Sequence, residues 1–214
     1  MIVCKFGGSS VADANQIKKV KAILESNEER CIAVVSAPGK RNKDDEKITD
    51  LLYQCNAEVQ KGLSCRDTFK KIHNRYMEIA NELKLDTTFL SEELDSVRRL
   101  IDAGRGADYA ASRGEYLSAY LISQYLGWEF VDSYDCIVIN SDNTTNAISY
   151  DNLSSRLNSG KKYVIPGFYG KTERGELKTF SRGGSDITGA IVARAVNASL
   201  YENWTDVSGV FSAN

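Results

Sequence analysis

IVCKF at residues 2–6 and CIAVVS at residues 31–36 are short apolar runs, and the segment between them carries Ile17, Val20 and Leu24 at helical spacing. Two near-continuous apolar strands around one amphipathic helix make the β-α-β rhythm of a parallel sheet. Working outward, Ile48, Leu51, Leu52, Cys55 and Val59 predict a second helix, and the segment around His73 a third. Leu90, Leu94, Val97, Leu100 and Ile101 mark another, followed by one carrying Leu117, Tyr120, Leu121 and Tyr125. Strands are expected again at 128–132, 136–140 and 163–168, and a glycine-marked hairpin or flap at 169–180. A helix carrying Ile187, Ala190, Ile191 and Ala195 and a strand near 199–204 close the pattern. Pro38 and Pro166 sit at or just after strand ends, and the mixed-charge run 40–47 reads as a solvated loop. The whole reads as one α/β unit.

The totals mainly exclude. The chain has 214 residues, 42% hydrophobic and 26% charged, enough for a core without disulfide or metal staples. A net charge of −2 gives no basic footprint for nucleic acid. Apolar runs such as residues 31–35 fall far short of the ~20 residues that span a bilayer. The start lacks the pattern of a signal peptide. Five scattered cysteines read as reduced thiols of a cytosolic protein rather than a zinc site. His73 is the only histidine and lies among Phe69, Ile72, Tyr76, Ile79 and Leu83, so it reads as structural. Chemistry is therefore expected from Lys, Asp and backbone amides.

Glycine and acid clusters recur at predicted strand ends. Lys5-Phe6-Gly7-Gly8-Ser9-Ser10 joins the first strand to a helix, so it reads either as an anion cradle beside Lys5 or as a turn with Ser10 and Asp13 capping. It matches neither the P-loop nor the dinucleotide glycine spacing. Ser36-Ala37-Pro38-Gly39 ends the second strand and precedes Thr49-Asp50 at a helix start; ligand loop and simple turn stay equally open. Ser112-Arg113-Gly114-Glu115 leads toward a helix and alone reads as a surface charge pair. Arg182-Gly183-Gly184-Ser185-Asp186 repeats the glycine-rich helix start, with Asp186 either a first-turn acid or an Mg²⁺ partner. Thr205-Asp206-Val207-Ser208-Gly209 follows the last strand.

In this order KFGGSSVAD, SRGE, FSRGGSDIT and WTDVSG resemble the aspartate kinases of the amino-acid kinase superfamily, across residues 1–214. The resemblance implies a three-layer αβα sandwich with a mostly parallel central sheet. It also implies ATP-dependent phosphorylation of the aspartate side chain to 4-phospho-aspartate, the step leading toward lysine, threonine and methionine. By the family pattern Arg182 clamps the α-carboxylate and Glu115 the ammonium, while Ser36, Thr49, Gly183, Gly184 and Ser185 complete the substrate site. Lys5, Gly7, Gly8 and Ser9 hold phosphate, Asp186 organises Lys5 or Mg²⁺, and Thr205, Asp206 and Phe211 begin the nucleotide pocket. A carboxylate nucleophile, with a reference pKa of ~3.9, needs no general base. The implied acceptor is L-aspartate and the implied cofactor ATP with Mg²⁺. The setting is cytoplasmic, without nucleic acid or membrane, as a homo-oligomer in a longer parent.

Two features depart from the pattern. The 40–47 run lengthens the Ser36-to-Thr49 gap. The chain also ends at Asn214, before a further nucleotide-binding lysine and ACT regulatory domains. The expectation is thus a catalytic domain with its amino-acid pocket nearly complete and its ATP half only begun. Other amino-acid kinases, acting on glutamate, acetylglutamate or carbamate, and a binding module without turnover are the alternatives.

Overall fold

Strand β1 (Ile2–Phe6) lies at the heart of a parallel sheet in which every hydrogen-bonded pair runs the same way. A computed structural model describes residues 1–157, 160–181 and 183–205. After β1 come α1 (Ala14–Glu25), β2 (Arg30–Val35), α2 (Ile48–Gln60), α3 (Arg66–Glu82), α4 (Thr88–Asp102) and α5 (Ala107–Leu126). Then follow β3 (Glu129–Phe130), α6 (Ser133–Cys136), α7 (Ile148–Arg156), β4 (Tyr163–Pro166), the antiparallel hairpin of β5 (Tyr169–Lys171) and β6 (Leu177–Thr179), α8 (Gly184–Ala195) and β7 (Leu200–Trp204). The sheet order is β3-β4-β2-β1-β7.

Alternation along the strands makes the layers. Ile2, Cys4 and Phe6 of β1, with Ala33 and Val35 of β2, join one core with α1 to α5. Val3, Ile32 and Val34 join the opposite core with α7 and α8. The result is a three-layer αβα sandwich. Lys5 falls on the α8 side by the same two-residue period. Among the described residues no helix is long and apolar enough to cross a membrane.

Two expectations change, and one helix was not foreseen. Residues 136–140 are not a strand: α6 ends at Cys136, and Val138 and Ile139 form only isolated bridges. The Ser149 hydroxyl takes both the amide and the carbonyl of Val138, occupying the groups a neighbouring strand needs. Helix α7, which carries Ser149, has no apolar stripe in ISYDNLSSR and so gives no periodic signal. Finally, α5 begins at Ala107, so Ser112 to Glu115 lie inside it; Arg113 and Glu115 are both buried rather than a surface pair. Small residues such as Ala110, Ala111 and Gly114 let this half of the helix sink inward.

The chain leaves β2 for α2 on one side of the sheet, but leaves the adjacent β4 for α8 on the other. Such a switch point opens a crevice at the carboxyl ends of the strands, where open α/β sheets place ligands.

Candidate functional site

The loop after β1 and the loop after β2 touch backbone to backbone at this crevice. The Gly39 amide donates to the Gly8 carbonyl at 2.9 Å. A Cβ at Gly8 would stand 2.9 Å from the Ala37 carbonyl oxygen, and one at Gly39 would stand 2.8 Å from the Gly8 carbonyl carbon. Glycine at both positions is therefore what allows the approach. Residues Gly8–Val11 form one 3₁₀ turn, and Asp13 itself caps α1 through Gln16. Ser10 is thus not the cap of that helix, because the 3₁₀ turn intervenes.

Between these loops and α5 is a cavity of about 410 Å³, whose lining includes Gly8, Ser9, Ser36, Thr49 and Glu115. Glu115 is 5% exposed, and its Oε2 has no hydrogen-bond partner. Burial pushes its carboxyl up to about 8, against the opposing effects of the Ala37 amide and the charge of Arg113. Gly114 creates this arrangement: a Cβ there would meet that of Ala37 at 2.7 Å. The buried Tyr76 hydroxyl donates to the Gly114 carbonyl at 2.6 Å and fixes the helix from α3. Lys40 and Lys47, the exposed ends of the charged loop, also line the cavity. One buried acid, two amines and three hydroxyls suit a small ligand with one cationic and more than one anionic group.

On the other side of the sheet end, Lys5, 7% exposed, meets Asp186 of α8 at 2.8 Å. Asn203 donates to the same carboxylate oxygen. A Cβ at Gly7 would be 3.6 Å from the Lys5 amine, so the ammonium lies beside the first glycine loop. Gly183, with φ of 75°, starts α8, where Asp186 is in the first turn. A Cβ at Gly167, just beyond β4, would meet the Ser185 hydroxyl at 2.6 Å. Its absence brings Ser185 against the crevice, since the Gly167 amide donates to Val35.

The structure thus gathers Gly8, Ser9, Ser36, Thr49 and Glu115 around one cavity, with Lys5, Gly7, Gly183, Gly184, Ser185 and Asp186 around the neighbouring ion pair. Thr205 stands apart, in a cavity of about 250 Å³ shared with Lys19, Trp204 and Ser9. Arg182, Asp206 and Phe211 lie outside the described residues. Sequence reading missed Lys40, Lys47 and Phe168. Phe168 has φ of 79° and packs on Gly184, where a Cβ would meet its ring at 2.6 Å. The Pro166-Gly167 turn before it was the available signal.

Among the described residues no three acids, histidines or cysteines cluster to hold a metal by themselves. Asp186, half exposed and beside the glycine loop, offers one carboxylate to a metal.

The amino acid kinase family model matches residues 1–214. Aspartokinase 3 of Bacillus subtilis is 37% identical over 228 residues, covering 100% of this chain and 50% of that protein. A crystal structure of Clostridium acetobutylicum aspartate kinase superposes with a TM-score of 0.95 at 50% identity, covering 100% of this chain and 49% of that one. Escherichia coli aspartokinase III in complex with aspartate and ADP gives a TM-score of 0.85 at 26% identity, covering 98% of this chain and 50% of that one. The chain spans about half the length of these relatives.

Proposed function

This chain belongs to the amino acid kinase family, and on that premise we propose that it carries the amino-acid-binding part of an aspartate kinase. The reaction moves the terminal phosphoryl group of ATP to the side-chain carboxylate of L-aspartate, giving 4-phospho-L-aspartate and ADP. One observation carries the reading: Glu115 is buried with an unpartnered oxygen in a cavity that Lys40 and Lys47 also line. An ammonium beside Glu115 satisfies that oxygen and returns the carboxyl to its charged form. The two lysines and the hydroxyls of Ser36 and Thr49 then receive the two carboxylates. Arg182 is assigned to the α-carboxylate by the family pattern, and Ser185 follows three residues later in the chain.

The acceptor carboxylate is ionised at neutral pH, so no residue has to remove a proton. What the site must do is align two anions and offset their charge. Lys5 and the Gly8 amide at the end of β1 support this role, with Ser9 next to them, whereas the Gly7 amide, expected to share it, donates to the Trp204 carbonyl at 3.2 Å. Asp186 holds the Lys5 ammonium in position. Mg²⁺ arriving with the triphosphate would supply charge neutralisation, and Asp186 is the acid that would hold it. Thr205, Asp206 and Phe211 are proposed to begin the nucleotide pocket. Escherichia coli aspartokinase III, whose structure holds aspartate and ADP, supports this choice of acceptor and nucleotide.

The test is an acceptor comparison in a full-length protein containing these residues. ADP release and hydroxylamine trapping of the acyl phosphate should depend on aspartate. Equal or better turnover with glutamate or N-acetylglutamate refutes the substrate assignment.

A further inference from the structure

The SRGE motif is divided between two cavities: Glu115 lines the one already described, and Arg113 lines another of about 770 Å³. This second cavity lies between the start of α5 and the turn of the β5–β6 hairpin. Arg113 is 7% exposed. Its guanidinium carbon is 4.4 Å from the Tyr116 ring centre, 5.0 Å from that of Tyr109 and 5.3 Å from that of Tyr169. Nε donates to Ser112 at 3.2 Å. Among the described residues no carboxylate is within ion-pair distance, and the two terminal amino groups have no protein acceptor. A guanidinium keeps its charge and five donors at any physiological pH, so one without an acid beside it leaves its terminal donors to the cavity it lines, where an anion can meet them. The three tyrosine rings hold the cation among them through cation–π contacts.

The beginning of α5 supplies a second, independent feature. Gly106, with φ of 91°, caps this 20-residue helix without a side-chain hydrogen bond, and Ala107, Asp108 and Tyr109 line the cavity. The positive end of the helix therefore faces the same space as Arg113. Arg105 stands on the rim, exposed, with its guanidinium 5.7 Å from the Tyr109 ring. Two of the three lining acids are engaged elsewhere, and the third, Glu176, is exposed at the hairpin turn. Asp132 accepts from the Tyr169 hydroxyl at 2.6 Å and the Tyr134 amide at 3.0 Å, and Asp108 accepts from Thr179.

We propose that this cavity binds a small oxyanion, a carboxylate or phosphate group, held by the fork of Arg113 and the first amides of α5. It is separate from the Glu115 cavity and does not depend on the function proposed above.

Amide NMR shifts of the chain, titrated at constant ionic strength with inorganic phosphate and in parallel with succinate, test this. Saturable shifts at residues 106–109 and at Gly175 are expected with at least one probe, and the tighter probe identifies the anion. Arg113→Gln should weaken that binding at least tenfold. Arg105→Gln, a change at an exposed residue that spares the fold, should weaken it two- to fivefold. Absence of saturable shifts at these amides with both probes overturns the proposal. So does unchanged affinity in Arg113→Gln or, if that variant does not fold, in Arg105→Gln.

Discussion

Lys5, from the interior of β1, and Asp186, from the first turn of α8, meet at 2.8 Å across the carboxyl end of the sheet. The lysine side chain is 9% exposed and the aspartate 48%, so the pair joins the buried sheet to the open crevice. In a full-length protein containing these residues, Lys5→Met should lower turnover about 100-fold or more, the scale of losing one donor to a developing anion. Asp186→Asn should also abolish most turnover while leaving far-UV circular dichroism unchanged. Near-normal rates in either variant remove that residue from the phosphoryl-transfer role.

Glu115 makes the unliganded protein pH-sensitive. Its folded pKa, pushed up to about 8 by burial, stands above the ordinary glutamate value of 4.5. Between these values the folded state keeps a proton that the unfolded state has lost, so stability falls as pH rises through that window. Glu115→Gln should flatten this dependence. Thermal unfolding between pH 5 and pH 8 checks it: parallel curves for the two proteins contradict the assignment.

The charged loop is anchored, not merely solvated. Arg75, 6% exposed, holds both oxygens of Asp45 at 2.6 Å and reaches the Gly39 carbonyl at 3.2 Å. Burial opposes the Asp45 charge, but the hydrogen bonds and charge of Arg41, together with the charge of Arg75, outweigh it and hold the carboxyl well below its usual range. This contribution is present above the unfolded pKa and disappears as pH falls through the folded one. Arg75→Met should cost about 3 kcal/mol in urea unfolding at neutral pH, as expected for breaking a buried pair. A loss under ~0.5 kcal/mol places the pair among weak surface contacts.

The Gly8–Gly39 contact gives a steric prediction. A Cβ at Gly39 stands 3.0 Å from the Gly8 carbonyl oxygen as well as near its carbon, and both atoms are backbone. Gly39→Ala should therefore destabilise by about 1–3 kcal/mol. It should also raise the aspartate KM more than a surface substitution such as Lys43→Ala. Unchanged unfolding and unchanged KM would show that the loops do not need this approach.

How much of this was legible from sequence followed the strength of the local signal. Strands β1 and β2 are continuous apolar runs, and α1 to α4 carry regular apolar stripes, so both core faces could be read directly. Helix α7 is held by Ser149 and Leu153 in a polar segment, and its partner Val138 is satisfied by a side chain; neither leaves a periodic mark. The glycine clusters could be read as close approaches, but their partners could not. Nothing in the sequence places Gly114 against Ala37, or divides Arg113 from Glu115 between cavities. Lys40 and Lys47 were hidden in a run of charges that reads as solvent-facing throughout.

The most direct test of the central claim is calorimetric titration of the chain with L-aspartate at pH 7, repeated in buffers of different ionisation enthalpy. Because Glu115 is protonated in the empty cavity at that pH and charged beside an ammonium, aspartate binding should release close to one proton. Succinate, which lacks the ammonium, should bind more weakly and release none, and Glu115→Gln should remove the proton release. Aspartate binding without proton release, or with the same release in Glu115→Gln, would contradict the placement of the substrate ammonium at Glu115.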